Sequence, residues 1–254
     1  MSYFKIFPRI AYPYNADGDR KVSVDILKRF TFTKAIKDNA DLYVRYNMKE
    51  SDTFQSLAKK LYGSPDLHWL LYLMNDITDP YTDIAKTTEE LNGYINKKYT
   101  GYAVLLDLSF DGDFQVGEQI TSGSYIGTVD SWDATLRKLV VSSETAGSGL
   151  EVDDVITGST SGSTGKFKRR MLNTVTMHHF EDLFGNKISP LPNPTIPNDD
   201  SPLDGCLDQA EQPDTVTITN TEYEIALNDE KRKIKILRVE FRDQILRDAA
   251  RIFK

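Results

Sequence analysis

The sequence predicts an α+β protein carrying an inserted all-β segment, and three observations lead there. Between residues 46 and 81 two helical patterns follow one another with cap and turn signals between them. Between 101 and 170 helical spacing disappears, and short alternating runs are separated by Gly and Ser. Near the C-terminus alternating strand patterns precede one amphipathic helix. The expected organisation is therefore an N-terminal arm with strands (1–42), a helical module (43–100), an inserted antiparallel β domain with an internal repeat (101–170), and C-terminal hairpins, a Pro-rich arm and a terminal helix (171–254).

Residues 1–20 combine five aromatics with two prolines and the turn signal Asn15-Ala-Asp-Gly18-Asp19, which predicts an extended arm with little regular structure. Phe4, Phe7, Tyr12 and Tyr14 would lie on a partner or fold back onto the chain's own core. The Asp17-Gly18-Asp19 stretch lacks the spaced carboxylates and closing Glu of a calcium loop, so it reads as a turn. From Val22 to Ile36 apolar residues partly alternate, which predicts two strands, and Leu42 to Met48 alternates again as the strand entering the module.

In the module, Asp52 and Gln55 have the spacing of a capping box, in which two side chains satisfy N–H groups that have no helical partner. Phe54, Leu57, Ala58, Leu61 and Tyr62 fall at i, i+3, i+4, i+7 and i+8 and form one apolar stripe. Gly63 suits a left-handed helix end, Ser64 a cap, and Pro65 a first helical position, where no N–H is needed. The second helix, with Leu67, Trp69, Leu70, Leu71, Leu73 and Met74, is apolar on nearly all sides and needs cover from elsewhere. A helix capped by Thr87 and Glu90, with Leu91, Tyr94, Ile95 and Tyr99 in a stripe, is the expected cover.

Within 101–170, VGEQITSGS at 116–124 aligns with VDDVITGST at 152–160. Two related hairpins joined by Thr135 to Ser142 would make a small pseudo-symmetric barrel or sandwich, closed at its edges and usable as a contact to a neighbouring protein. Val175 to Ile188 reads as a hairpin around Gly185-Asn186. The stretch from Ser189 to Gly205 holds five prolines and must be extended. Thr215 to Ile218, Tyr223 to Leu227 and Lys233 to Leu237 alternate as strands, the last two joined by a turn at Asn228. The final helix puts Phe241, Ile245, Ala249 and Ile252 on one face, with Asp243 placed to pair with Arg247.

Bulk properties exclude several functional classes. Hydrophobic residues at 39% and charged residues at 27% describe a globular chain. A net charge of −7, with basic residues dispersed among acids, argues against nucleic-acid binding. The single cysteine, Cys206, excludes an intrachain disulfide framework and suits a reducing compartment. No apolar run approaches the roughly 20 residues of a membrane span, and the first residues lack a signal-peptide core. The chain is thus expected to stay in the cytoplasm unless it leaves inside an assembly.

The module resembles a LysM domain on Asp52, Thr53, Leu57, Ala58, Leu67 and Asn75, departing at Ser51 and after Asn75. The fuller string, with Tyr62-Gly63, His68-Trp69, Asn75-Asp76, Asp79-Pro80-Tyr81, Tyr94 and Lys98-Tyr99, is similar to the baseplate wedge protein 53 family of contractile-tail bacteriophages. FKIFPRIAYPY and TNTEYEIALNDEKRKIKIL extend that resemblance to roughly 1–100 and 172–254. It implies a LysM-like βααβ core in a structural virion protein without catalysis. Such a subunit would dock onto other wedge proteins and neighbouring wedges of a sixfold assembly around the tail hub.

The chemistry visible in the sequence is sparse. His178, His179, Glu181 and Asp182 are the tightest cluster of potential ligands, but neighbouring strand residues point to opposite faces, so neither a metal nor any other cofactor is expected. Residues 160–167, TSGSTGKF, lack the first glycine and the Ser/Thr of a phosphate loop and read as a hairpin turn. No nucleophile elbow is present. The alternative reading is a LysM-type module binding N-acetylglucosamine polymers of peptidoglycan. Tyr62, His68, Trp69, Asn75 and Tyr81 are the candidate groove or interaction residues. Because Trp69 lies among leucines, a core or interface role is preferred and glycan binding is disfavoured. Phe4, Phe7, Tyr12, Tyr14, Phe241 and Ile245 are the candidate interface arms.

Overall fold

A computed structural model describes residues 7–15, 18–25, 27, 31–107, 112–145, 149–188 and 215–252. Phe4, Asp17, Ile26, Phe30, the Pro-rich stretch and Cys206 lie outside them, as does the side chain of Ile252. In chain order the elements are β1 (Arg9–Pro13), β2 (Arg20–Val24), α1 (Lys34–Asp38), β3 (Tyr43–Asn47), α2 (Phe54–Tyr62), a 3-10 turn (Pro65–Leu67), α3 (His68–Met74), α4 (Pro80–Asp83) and α5 (Thr88–Lys98). Next come β4 (Tyr102–Leu106), β5 (Gln119–Ser122), β6 (Tyr125–Asp133), β7 (Lys138–Ser142), β8 (Val155–Gly158), β9 (Thr164–Leu172), β10 (Met177–Asp182) and β11 (Lys187–Ile188). The chain closes with β12 (Thr215–Thr219), α6 (Asn220–Arg232), β13 (Lys233–Leu237) and α7 (Val239–Ile252). Residues 1–88 with 227–254 form one compact unit and residues 89–226 a second.

In the first unit, α2 buries Phe54, Leu57, Ala58 and Tyr62, the predicted stripe. Its cap sits one residue later than the spacing suggests. Thr53 accepts from the Ser56 N–H, and Ser56 Oγ accepts from the Thr53 N–H. Asp52 is not free for that role because it accepts from Lys49 N and from the Tyr46 hydroxyl. Gly63 ends α2 at φ 79°, the left-handed region in which a side chain would be strained. Helix α5, the expected cover of α3, lies from Glu89 onward in the second unit, and within the first unit other elements supply cover. Ile234, Ile236 and Leu237 of β13 and Ala249 of α7 complete the core around Trp69, Leu70, Leu71 and Met74.

Two N-terminal expectations are corrected. Residues 9–24 form the antiparallel β1–β2 hairpin, with Ile10 facing Ser23 and Tyr12 facing Lys21, where an irregular arm was predicted. Its Asn15–Asp19 turn is tied by side-chain bonds in both directions. Of the two strands predicted across Val22–Ile36, β2 is the one present among the described residues. Ile36 instead lies in α1, where Lys-Ala-Ile-Lys are residues compatible with a helix.

The second unit contains a closed six-stranded barrel in the order β4-β7-β6-β5-β8-β9. The internal repeat accounts for its geometry. Gly117 N donates to Val129 O and Val129 N to Glu118 O; at the equivalent positions Asp153 N donates to Phe167 O and Phe167 N to Asp154 O. Gly117 and Asp153 both have positive φ. Register shifts fall between Val129 and Ser131 against β7, and opposite Phe167 and Arg169 against β4, so each half bends at the same place. The local twofold relates β5-β6-β7 to β8-β9-β4. The segment from Thr135 to Ser142 is thus no mere joint, because it holds β7, the counterpart of β4.

The hairpin around Gly185 is present as β10–β11, with β12 on the other side of β10. The strand predicted over Tyr223–Leu227 is helix α6 instead, and there is no turn at Asn228. A capping box starts it: Thr219 N donates to Glu222 Oε2, and Glu222 N donates to Thr219 Oγ1. The inward residues of α6 are polar, namely Asn220, Glu224 and Asn228 at i, i+4 and i+8. That inverted pattern leaves Ile225 and Leu227 exposed and mimics strand alternation in the sequence.

Candidate functional site

The five candidate groove residues are not gathered on one surface. Tyr62 is buried, and its hydroxyl donates to Leu237 O at 2.9 Å. Burial pushes that phenol well above its ordinary range. Trp69 is only 4% exposed, within the α3 core. His68, at the start of α3, places Nδ1 2.8 Å from Pro65 O and meets Tyr72 edge-on. Tyr81, on the short helix α4 capped by Asp79, is 86% exposed. With Trp69 and Tyr62 inside, no stacked aromatic platform for a sugar is formed by these five residues.

Asn75 has a different task. Its Nδ2 donates to Lys235 O at 2.8 Å and its Oδ1 accepts from Lys235 N at 2.6 Å, so the amide fills one residue's worth of strand pairing on the outer side of β13. A further bond from Nδ2 to Leu71 O ties the amide to α3. Together with the Tyr62 hydroxyl on Leu237 O, it closes that side of β13. On its other side β13 pairs with β3: Ile234 faces Tyr46 and Ile236 faces Val44.

The expected interface arms divide. Phe7 belongs to the first unit's core, and Phe241 and Ile245 of α7 pack against it. The Arg242 guanidinium donates to Tyr62 O at 3.0 Å, and Asp243 pairs with Arg242 at 2.8 Å, where Arg247 was expected. Tyr12 and Tyr14 point outward on the hairpin. Phe4 lies outside the described residues.

Of three polar clusters in the second unit, two, around Glu224 and around Glu118, escaped the sequence reading. The first lies on α6. Lys98 Nζ and the Tyr99 hydroxyl donate to buried Glu224 Oε1 at 2.6 and 2.8 Å. Burial alone would raise the Glu224 carboxyl, but those two donors outweigh it and hold the group below its ordinary value. Burial and Glu224 together push the Tyr99 phenol up to about 12. Asn220 donates to Asn173 O at 2.6 Å. In the barrel, buried Glu118 accepts from Thr160 N, Ser161 N and Ser161 Oγ at 2.9–3.0 Å and from Gln115 N at 2.6 Å. These donors overcome its desolvation and keep it ionised.

The third cluster is the histidine pair singled out in the sequence. A shift in strand register between Met177 and His179 brings the two adjacent rings together, contrary to the strict alternation assumed from sequence. His178 Nδ1 lies 2.8 Å from His179 Nδ1, and His179 Nε2 2.9 Å from Glu181 Oε1. His178 stacks on Tyr223 with centroids 3.8 Å apart. Burial, then the charges of His179, Lys187, Lys138 and Lys98, lower the pKa of His178. Both Nδ1 atoms are committed to each other, and among the described residues no group of three His, Cys, Asp or Glu is arranged to hold a metal.

The arrangement as a whole uses its polar side chains to lock elements together. Among the described residues no helix is long and apolar enough to cross a membrane. A family model described as base plate wedge protein 53 matches residues 2–104, spanning the β1–β2 hairpin, the helical module, α5 and the first residues of β4. No curated protein matches the chain.

Proposed function

We propose, from the match of residues 2–104 to the base plate wedge protein 53 family, that the chain is a non-enzymatic wedge subunit that docks onto other wedge proteins and helps join neighbouring wedges around the tail hub. The family match supports a structural role in the phage tail baseplate, and so a place in the virion. The sixfold setting, the docking partners, assembly in the host cytoplasm and the LysM-like ancestry of the β3-α2-α3 module belong to the proposal.

The family match is the observation that carries this reading. Further support comes from where the chemistry went. Tyr62, Trp69 and Asn75, the residues a glycan-binding reading needs on a surface, are engaged inside the first unit. Glu118 and Glu224, two buried carboxylates, are each held by several donors and poorly placed to serve as acid or base.

Co-expression with the other wedge proteins of the same baseplate, followed by size-exclusion chromatography, tests the proposal. Co-elution with at least one of them is expected. A chain that elutes alone in every combination, or is retained by peptidoglycan, would overturn it.

A further inference from the structure

The sheet formed by β3 and β13 has one closed side and one open side. In an antiparallel strand, the N–H and C=O of one residue point to the same side, and successive residues alternate. Lys235 directs both groups to Asn75, and Leu237 directs its carbonyl to Tyr62, so these odd-numbered residues of β13 face away from β3. Their cross-strand neighbours are Arg45 and Tyr43, and Lys233 pairs with Asn47 in the same register. Residues opposite each other in such non-bonded pairs both turn their backbone groups outward.

The bonds flanking the ladder agree. Met48 N donates to Arg232 O and Arg238 N to Leu42 O, so the even-numbered positions of the β3 strand face β13. Tyr43, Arg45 and Asn47 therefore present their N–H and C=O groups on the free side of β3. Among the described residues nothing pairs with that side. Arg45 and Asn47 are also exposed there.

We propose that β3 is a docking edge that accepts an extended segment of another wedge subunit as a third strand. This rests on the assignment of the chain to the wedge. The chemistry specifies the incoming segment in two ways. It must offer backbone N–H and C=O groups in strand spacing to three alternate residues, the mode of recognition by strand addition. It must also carry an acidic side chain across from Arg45, which forms no ion pair among the described residues and faces Lys235 across the sheet. A second copy of this chain fits less well. Pairing two β3 strands in full antiparallel register about their centre would set Arg45 against Arg45, and like charges directly opposite are destabilising.

The test compares backbone amide exchange in the free full-length chain with exchange in the purified wedge complex. Free, the amides of Val44 and Tyr46 are protected by β13, while those of Tyr43, Arg45 and Asn47 exchange quickly. In the wedge, the proposal expects the latter three to slow by at least about tenfold, as for ladder amides. Arg45→Pro removes one outward N–H at an edge position where proline is tolerated. It should weaken incorporation roughly three- to tenfold, the worth of one hydrogen bond, and Arg45→Glu should weaken it through charge alone. Incorporation of the wild-type chain with Tyr43, Arg45 and Asn47 still exchanging quickly overturns the docking edge and leaves the wedge assignment standing. Protection that appears in the concentrated chain alone replaces the partner with a second copy and overturns the proposal as stated. Failure of the wild-type chain to enter a wedge overturns both.

Discussion

Replacing Asn75 by Ala isolates the contact that joins α3 to β13. The change deletes both amide bonds to Lys235, at 2.8 and 2.6 Å, and the bond to Leu71 O, which keeps a backbone donor from Asn75 N at 3.2 Å. Counting the two bonds to Lys235 at roughly 0.5–1.5 kcal/mol each gives a loss of about 2 kcal/mol. For a small domain with a urea slope of about 2 kcal/mol/M, the midpoint falls by about 1 M with the slope unchanged. The chain has 2 tryptophans, Trp69 in the first unit and Trp132 in the second, so a Trp132→Phe background makes fluorescence report on the first unit alone. Asn75→Asp, which keeps the acceptor for Lys235 N but loses both donated bonds, should not restore the midpoint fully. A midpoint shift below about 0.2 M for Asn75→Ala would refute the claim that this amide stands in for a strand.

The barrel makes a paired prediction: a Cβ on Gly127 would lie 2.5 Å from Val141 Cγ1 and one on Gly165 2.8 Å from Leu106 Cδ1. Each Gly→Ala change should cost about 1–3 kcal/mol by overpacking, read from Trp132 fluorescence in a Trp69→Phe background. Gly127 should be the worse of the two because Val141 is short and branched. Tyr62→Phe should cost about 1 kcal/mol in the first unit by leaving Leu237 O without its hydroxyl donor. Acid should weaken the second unit. The folded pKa of His178 is below its ordinary 6.5, and those of Glu118 and Glu224 are below 4.5, so the unfolded chain binds protons first. Stability from His178 is then present above about pH 6.5 and that from the carboxylates above about pH 4.5, each lost as pH falls through the folded value. Thermal melts of the Trp69→Phe chain from pH 8 down to about pH 2 check this, Glu224→Gln should flatten the acid limb, and a melting temperature that rises on acidification would contradict it.

The parts legible in the sequence were those held by apolar periodicity or by a glycine requirement. The α2 stripe, the left-handed Gly63, the repeat behind the barrel and the Gly185 turn all carry local signals. What escaped was carried by polar burial and by register. Helix α6 turns Asn220, Glu224 and Asn228 inward, and their partners Asn173, Lys98 and Lys86 lie far off in sequence, so the apolar residues that alternate in print are those left outside. The meeting of His178 with His179 depends on one shift of register, which residue identity does not reveal. Trp69 and Tyr62 illustrate a third limit: rings suited to a sugar platform are equally suited to a core, and only the positions of β13 and α7 decide between them. The open side of β3 is legible only once Asn75 and Tyr62 are seen on the closed side of β13.

The central claim, that this chain is a built-in part of a baseplate wedge, is tested most directly on purified phage baseplates. The measurement is the amount of the chain that sediments with them after washing, relative to the other wedge proteins. The account predicts a fixed stoichiometric ratio, with no intact baseplates formed when the chain is withheld. Complete baseplates assembling without it, with the chain left in the soluble fraction, would contradict the account.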